Sequence, residues 1–282
     1  MNVVVVYNSA SGGGMHLDAL KAYFISSGIN VAAWFPFGES TARELRRYIK
    51  SGETIAVVGG DGTVSAVAAL VAGTKAILAP LPGGTLNHFT KDLGITQDIE
   101  TAIRALKNSK IRTIDAAKVN DAVFINNSSI GLYPSVLRTR TEFERHIGKW
   151  PAAVVASFRS FIRMKTYVVT VNNEEIITPF LFVGNGHYDL TKPGVTQRTS
   201  LTSGRLSVFI AKTASRMTLL KIALMTLVGN VHMLDEFEVR STPALTIRTK
   251  QSTLRISKDG EVVKVTSPVR YEILAKSLNV RF

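Results

Sequence analysis

At 282 residues, 45% hydrophobic, the chain is long enough to bury a sizeable core as one large domain or two moderate ones. The absence of cysteine excludes disulfides and thiolate metal sites and fits a reducing compartment, and the scattered His16, His88, His146, His187 and His232 argue against zinc. A net charge of +13 predicts attraction to polyanions, but no zinc-finger spacing, RNA-recognition signature or lysine-rich tail accompanies it, so no nucleic-acid partner is expected.

The opening MNVVVVYNSA lacks the basic start and cleavage site of a secretory signal and reads as a buried strand, which makes the cytoplasm the expected location. A small-residue loop, NSASGGG at 8–14, follows it. Ala42, Leu45, Tyr48 and Ile49 recur at helical spacing. TIAVV at 54–58 is a second strand with unbroken apolarity, followed by GGDGT and then by Val64, Val67, Ala68 and Val71 on one helical face. AILAP at 76–80 is a third strand, PLPGGTLNHF a third small-residue loop, and Ile99, Ala102, Ile103 and Leu106 a further helix. Strand, loop and helix in this order predict a Rossmann-like parallel sheet layered with helices, over residues 1–117.

Beyond residue 117 the rhythm changes to short alternating strands and tight turns. YVVTVNNEEIIT carries a hairpin signal at Asn172-Asn173, GRLSVFIA alternates Leu206, Val208 and Ile210, and FEV, ALTI, TLRI, EVVKV and RYEIL follow. The fold class is therefore α/β plus β, with a mostly antiparallel β-sandwich over 118–267 and with 268–282 as a candidate return to the first domain. Two segments, 141–164 and 215–230, are long enough for helices. No apolar run approaches the roughly 20 residues that span a bilayer.

GGDGT between a strand and a helix has a direct chemical meaning. Glycines let the backbone turn sharply and let an anion approach its amides, while the helix start adds unpaired N–H groups and the positive end of its dipole. Asp61 would repel a phosphate unless a cation lies between them, and magnesium bridges carboxylate and phosphate oxygens. The competing reading is a tight turn with Asp61 as a helix cap. Three such loops at strand C-terminal ends favour a ligand crevice.

Together NSASGGG, GGDGT, PGGTLNHFTKDLG and, far downstream, KDGE at 258–261 resemble the catalytic region of diacylglycerol and sphingosine kinases, above all their bacterial relatives. FINNSSIG at 124–131 and FVGNGHYD at 182–189 resemble segments of the β domain in the bacterial lipid kinases. The resemblance implies an ATP cleft between the two domains. It implies that Gly59, Gly60, Asp61, Gly62 and Thr63, with Val64 and Ser65, hold the nucleotide phosphates, and that Thr85 is a second phosphate contact. Asn8, Ser11 and Gly12 would form the first nucleotide loop, and Asn87 would shape the cleft. Asp259 and Glu261 become the candidates for the base that deprotonates the attacking hydroxyl, and Asp61 the organiser of Mg2+ and phosphate. Taken alone, KDGE reads as a hairpin turn.

The chain departs from the family at Asn8-Ser9 in place of Asn-Pro, at Ser65-Ala66 in place of Asn-Glu, and at LTSGRLS in place of an acidic LDDGLLD-like segment. Ser203 and Ser207 are poor ligands for a hard cation, so the family's structural metal is expected to be absent. Residues 138–165 mix arginines and lysines with Phe143, Trp150, Phe158, Phe161 and Ile162; they read either as an interfacial lid over a lipid site or as a helix packed on the protein's own core. Segment 216–230 reads as a packed helix. Arg198 is either an anion contact or an exposed loop arginine. The expectation from the sequence is an ATP- and magnesium-dependent lipid kinase, peripheral at the inner face of the membrane and drawn to anionic phospholipid. The rivals are a kinase of a soluble substrate such as NAD and a noncatalytic lipid- or nucleotide-binding protein. Oligomeric state is not legible.

Overall fold

The computed structural model describes residues 1–9, 16–131, 166–171, 174–189, 197–212, 237–249 and 251–282. Ser11, Gly12, the lid candidate at 138–165, the helix candidates at 141–164 and 215–230 and the turn pair Asn172-Asn173 lie outside the described residues. The chain divides into two units, Met1–Ala116 with Leu274–Phe282, and Ala117–Ile273.

In the first unit β1 (Asn2–Tyr7), α1 (Leu17–Ser26), β2 (Asn30–Pro36), α2 (Thr41–Ser51), β3 (Thr54–Gly59), α3 (Asp61–Val71), β4 (Ile77–Pro82), α4 (His88–Asp92) and α5 (Ile99–Leu106) follow in turn, with β5 (Ile111–Val119) leading out. β1, β2, β3 and β4 pair in parallel in the order β2-β1-β3-β4. Val3, Val4, Val5 and Val6 are all fully buried because helices cover both faces of the sheet. Val3, Val5, Ala56, Val58, Ala79 and Leu81 form one core with Leu20 and Phe24 of α1 and Ile103 and Leu106 of α5. The alternate residues face the side on which α2 and α3 pack. α2 ends at Gly52, whose φ of 76° closes the helix by donating to the Ile49 carbonyl. At the head of α5 Asp98 accepts the Thr101 amide at 2.9 Å, and hydrogen bonds from the Thr101 side chain and then from that amide hold its carboxyl below the usual range.

In the second unit β6 (Ala122–Phe124), β7 (Asn127–Gly131), β8 (Tyr167–Val171), β9 (Glu174–Thr178), β10 (Phe180–Asn185), β11 (His187–Asp189), β12 (Gln197–Ser200), β13 (Leu206–Ala211), β14 (Phe237–Thr242), β15 (Ala244–Arg248), β16 (Thr253–Lys258) and β17 (Glu261–Thr266) lead to β18 (Val269–Arg281). One antiparallel sheet runs β14-β13-β10-β7-β16-β17. The other contains β9, β8, β15 and the first residues of β18, also antiparallel. Val171 stands opposite Glu174, which is the register of the hairpin expected across 172–173. The two sheets share a core in which Ile130, Leu181, Val183, Val208 and Ile256 meet Val169, Leu245, Ile247, Val269 and Tyr271. The last residues of β18 return to the first unit, where Asn279 and Val280 pair in parallel with Ile77 and Leu78 of β4. The fold class is thus a parallel α/β sheet with a following antiparallel β region.

Candidate active site

In the first unit the site candidates gather where β1, β3 and β4 end. β3 leaves the sheet at Gly59, and α3 begins at Asp61 with Gly60 as an extended N-cap. The Val64 amide donates to the Gly60 carbonyl at 3.1 Å, so the helix bonds start there and the Asp61, Gly62 and Thr63 amides have no intrahelical acceptor. Those amides are the ones suited to an anion. Val64 and Ser65, expected from the sequence to join them, have buried side chains, and the Val64 amide is already engaged.

The glycines have a second purpose that local reasoning did not reveal. A Cβ on Gly84 would sit 2.4 Å from the Gly60 Cα, one on Gly83 2.7 Å from the Gly59 nitrogen, and one on Gly59 2.7 Å from the Thr63 Cβ. The GGDGT and PLPGGTLNHF loops therefore lie backbone against backbone, tied further by the Gly83 amide donating to the Gly59 carbonyl at 3.1 Å. Asn87 holds the second loop in shape. It adopts a left-handed conformation with φ 52°, its side-chain carbonyl accepts the Gly84 amide at 2.9 Å, and its amide group donates to the Gly84 carbonyl at 3.0 Å. Thr85, between them, is exposed.

Asp61 links the two loops. Its Oδ1 accepts the Phe89 amide of α4 at 3.1 Å, so it caps a neighbouring helix rather than its own. Among the described residues Oδ2 carries no hydrogen bond, and no cluster of acids and histidines forms a ready-made metal cage. Asn8, at the end of β1, donates through its side chain to the Thr63 hydroxyl at 2.9 Å. That leaves the Thr63 proton free to point elsewhere.

In the second unit KDGE forms the β16–β17 hairpin, with Asp259 at φ 45° and Gly260 at φ 86° as its two-residue turn. The turn aims the Asp259 side chain at the β6–β7 connection, and Asp259 is nearly buried. Its Oδ2 accepts the Ile125 amide at 2.9 Å, and its Oδ1 accepts the Asn126 amide at 2.8 Å and the Asn127 amide at 3.1 Å. Glu261 opens β17 and is exposed, and its carboxylate makes no hydrogen bond or ion pair among the described residues. Asn126, Asn185, Tyr188 and Arg198, to which sequence reasoning gave no such place, surround the same connection. Tyr188 donates to the Asn126 carbonyl at 2.9 Å and Asn185 to the Ile125 carbonyl at 2.9 Å. For Asn126, Asn185 and Tyr188 the available signal was their presence in FINNSSIG and FVGNGHYD, and Arg198 lies in neither. Arg198 is neither an exposed loop arginine nor turned outward, being 8% exposed with its guanidinium on main-chain carbonyls.

At LTSGRLS, Ser203 bonds across its own turn to the Arg205 amide and carbonyl, each at 3.3 Å. Ser207 accepts the Tyr188 amide at 3.2 Å and donates to the Gly186 carbonyl at 2.9 Å. Neutral hydroxyls engaged in this way do not suit a hard divalent ion.

Residues 2–119 match the diacylglycerol kinase catalytic domain. The family resemblance carried by GGDGT and PGGTLNHF thus holds over these residues, which are lipid kinase-like, while KDGE at 258–261 lies outside the matched range. A Staphylococcus carnosus protein provisionally named a lipid kinase is 29% identical over 236 residues, covering 80% of this chain and 76% of that one. A Streptococcus pneumoniae protein, also provisionally named a lipid kinase, is 35% identical over 147 residues, covering 48% of each. Among solved structures, a diacylglycerol kinase from Bacillus anthracis superposes with a TM-score of 0.70 at 20% identity over 100% of this chain and 96% of that one. Another from the same organism, provisionally named a diacylglycerol kinase, reaches 0.75 at 20% identity, over 100% of this chain and 95% of that one. At such identity these superpositions speak for the fold.

Proposed function

We propose that this chain is an ATP- and magnesium-dependent lipid kinase that transfers the γ-phosphoryl group to the free hydroxyl of a diacylglycerol-like or related lipid, working peripherally at the cytoplasmic face of a membrane. The observation that supports it most is Asp61 standing between two mutually packed glycine loops, with one oxygen on Phe89 and the other unengaged among the described residues. Around it, the Asp61, Gly62 and Thr63 amides receive phosphate oxygens, and the Thr63 hydroxyl, oriented by Asn8, adds a donor. Thr85 is a second phosphate contact.

A hard divalent ion beside phosphates takes one or two carboxylates and keeps several waters, which the single Asp61 oxygen satisfies. Bound there, magnesium supplies neutralisation of charge on the transferring phosphoryl group. The base comes from the KDGE hairpin. Both Asp259 oxygens already accept main-chain amides, whereas Glu261 has its oxygens unengaged among the described residues. Glu261 is accordingly the carboxylate that takes the hydroxyl proton, and Asp259 holds the turn that carries it. The +13 net charge favours residence at an anionic lipid surface.

The test is a substrate panel with ATP and magnesium, in which diacylglycerol, other hydroxylated lipids in mixed micelles and NAD in solution are compared. Phosphorylation confined to a micellar lipid supports the proposal, phosphorylation of NAD alone replaces the substrate class, and nucleotide binding without turnover leaves a noncatalytic protein.

A further inference from the structure

Arg198, on β12, is a cation 8% exposed in the second unit, and a buried guanidinium must find acceptors. Its Nη1 donates to the Ile125 carbonyl at 2.5 Å and to the Asn185 carbonyl at 3.3 Å, and its Nη2 to the Asn126 side-chain oxygen at 3.3 Å. Its guanidinium carbon lies 5.9 Å from the centre of the Tyr188 ring. The peptide unit whose oxygen belongs to Ile125 is the one whose N–H belongs to Asn126, and that N–H donates to Asp259 at 2.8 Å. One peptide group therefore stands between a buried guanidinium on its oxygen and a nearly buried carboxylate on its hydrogen. Hydrogen bonds in such a chain polarise and strengthen each other.

The geometry assigns Arg198 as a positioning residue for Asp259. The guanidinium fork holds the 125–127 connection by its carbonyl side while Asp259 holds it by its amide side. Arg198 thereby fixes, through a single peptide group, where the Asp259 carboxylate lies and how the Asp259-Gly260 turn presents Glu261. A lysine, with a compact ammonium and no fork, can satisfy one of these acceptors but not the spread of them. The consequence for turnover rests on the kinase reading; the relay itself is a property of the second unit.

The experiment uses the full-length chain, 15N-labelled, as wild type, Arg198→Met and Arg198→Lys. It reads the Asn126 and Asn127 amide resonances, their hydrogen exchange, and kcat and KM for ATP. In Arg198→Met the Asn126 amide proton should move upfield and exchange about tenfold faster or more, with β15 and β18 amides unchanged. kcat should fall about tenfold or more while the ATP KM stays within about twofold, and Arg198→Lys should lie between. Should Arg198→Met fail to fold, Arg198→Lys carries the same readouts. An Asn126 amide that does not respond overturns the assignment, as does a change spread equally over β15 and β18, which would mark general packing. A wild type without lipid kinase activity sinks the functional reading alone, because the amide shift still decides the relay.

Discussion

The carboxylate of Asp61 accepts the backbone amide of Phe89 at 3.1 Å, across 28 residues of sequence. One oxygen of a residue expected to face nucleotide and magnesium is thus also the cap of α4, and the two roles separate by substitution. Asp61→Asn keeps an acceptor for the Phe89 amide and should retain the wild-type unfolding midpoint while losing phosphoryl transfer. Asp61→Ala should lose transfer and also about 1 kcal/mol of stability, the usual loss for a removed helix cap. Urea unfolding beside a kinase assay checks both.

The packed loops distinguish neighbouring glycines. Gly84→Ala places a methyl 2.4 Å from the Gly60 Cα and should cost about 1–3 kcal/mol through overpacking. Gly60→Ala meets the Gly84 Cα at an ordinary 3.5 Å, at an unstrained φ of −77°, and should be nearly neutral in stability. Thermal unfolding of the two variants tests that contrast.

Tyr271 is 1% exposed in the core of the second unit, where its hydroxyl lies 3.0 Å from the Ser128 hydroxyl. Burial pushes its phenol well above the usual value, with the Ser128 bond a smaller opposing influence. Its contribution is complete below the unfolded tyrosine value of about 10 and is lost as pH rises above it, because the unfolded chain ionises first. Tyr271→Phe should therefore cost about 1 kcal/mol at neutral pH, and the gap to wild type should narrow in alkaline solution. Denaturation midpoints across that range decide it.

The KDGE hairpin gives another separation. Glu261→Gln should fold with wild-type stability and lose about 100-fold or more in kcat as the base is removed. Asp259→Asn sets an amide group against the Ile125, Asn126 and Asn127 amides and should lower stability by about 1–3 kcal/mol as well as activity. Full turnover in Glu261→Gln would move the base to Asp259; full turnover in both would remove it from this hairpin.

Local pattern made the strands of the first unit legible, since VVVVY, TIAVV and AILAP have the continuous apolarity that two-sided burial demands. β2 was less so, because NVAAWFP lies at the sheet edge and is only partly buried. The antiparallel strands announced themselves by alternation and turn residues, and Asp259-Gly260 proved to be the hairpin its spelling suggested. The rest depends on contacts distant in sequence. Nothing around Gly84 tells that Gly60 will lie against it, and nothing around Asp61 points to Phe89. Arg198 sits among polar residues and reads equally as an anion contact or an exposed loop arginine until the carbonyls of Ile125, in the β6–β7 connection, and Asn185, on β10, reach it.

The most direct measurement is transfer of radiolabel from the γ-position of ATP, with magnesium, into a total lipid extract, run in parallel on wild type, Asp61→Asn and Glu261→Gln. The account predicts label in a hydroxyl-bearing lipid with the wild type alone. Label absent from every lipid with folded wild-type protein, or equal labelling by all of them, would contradict it.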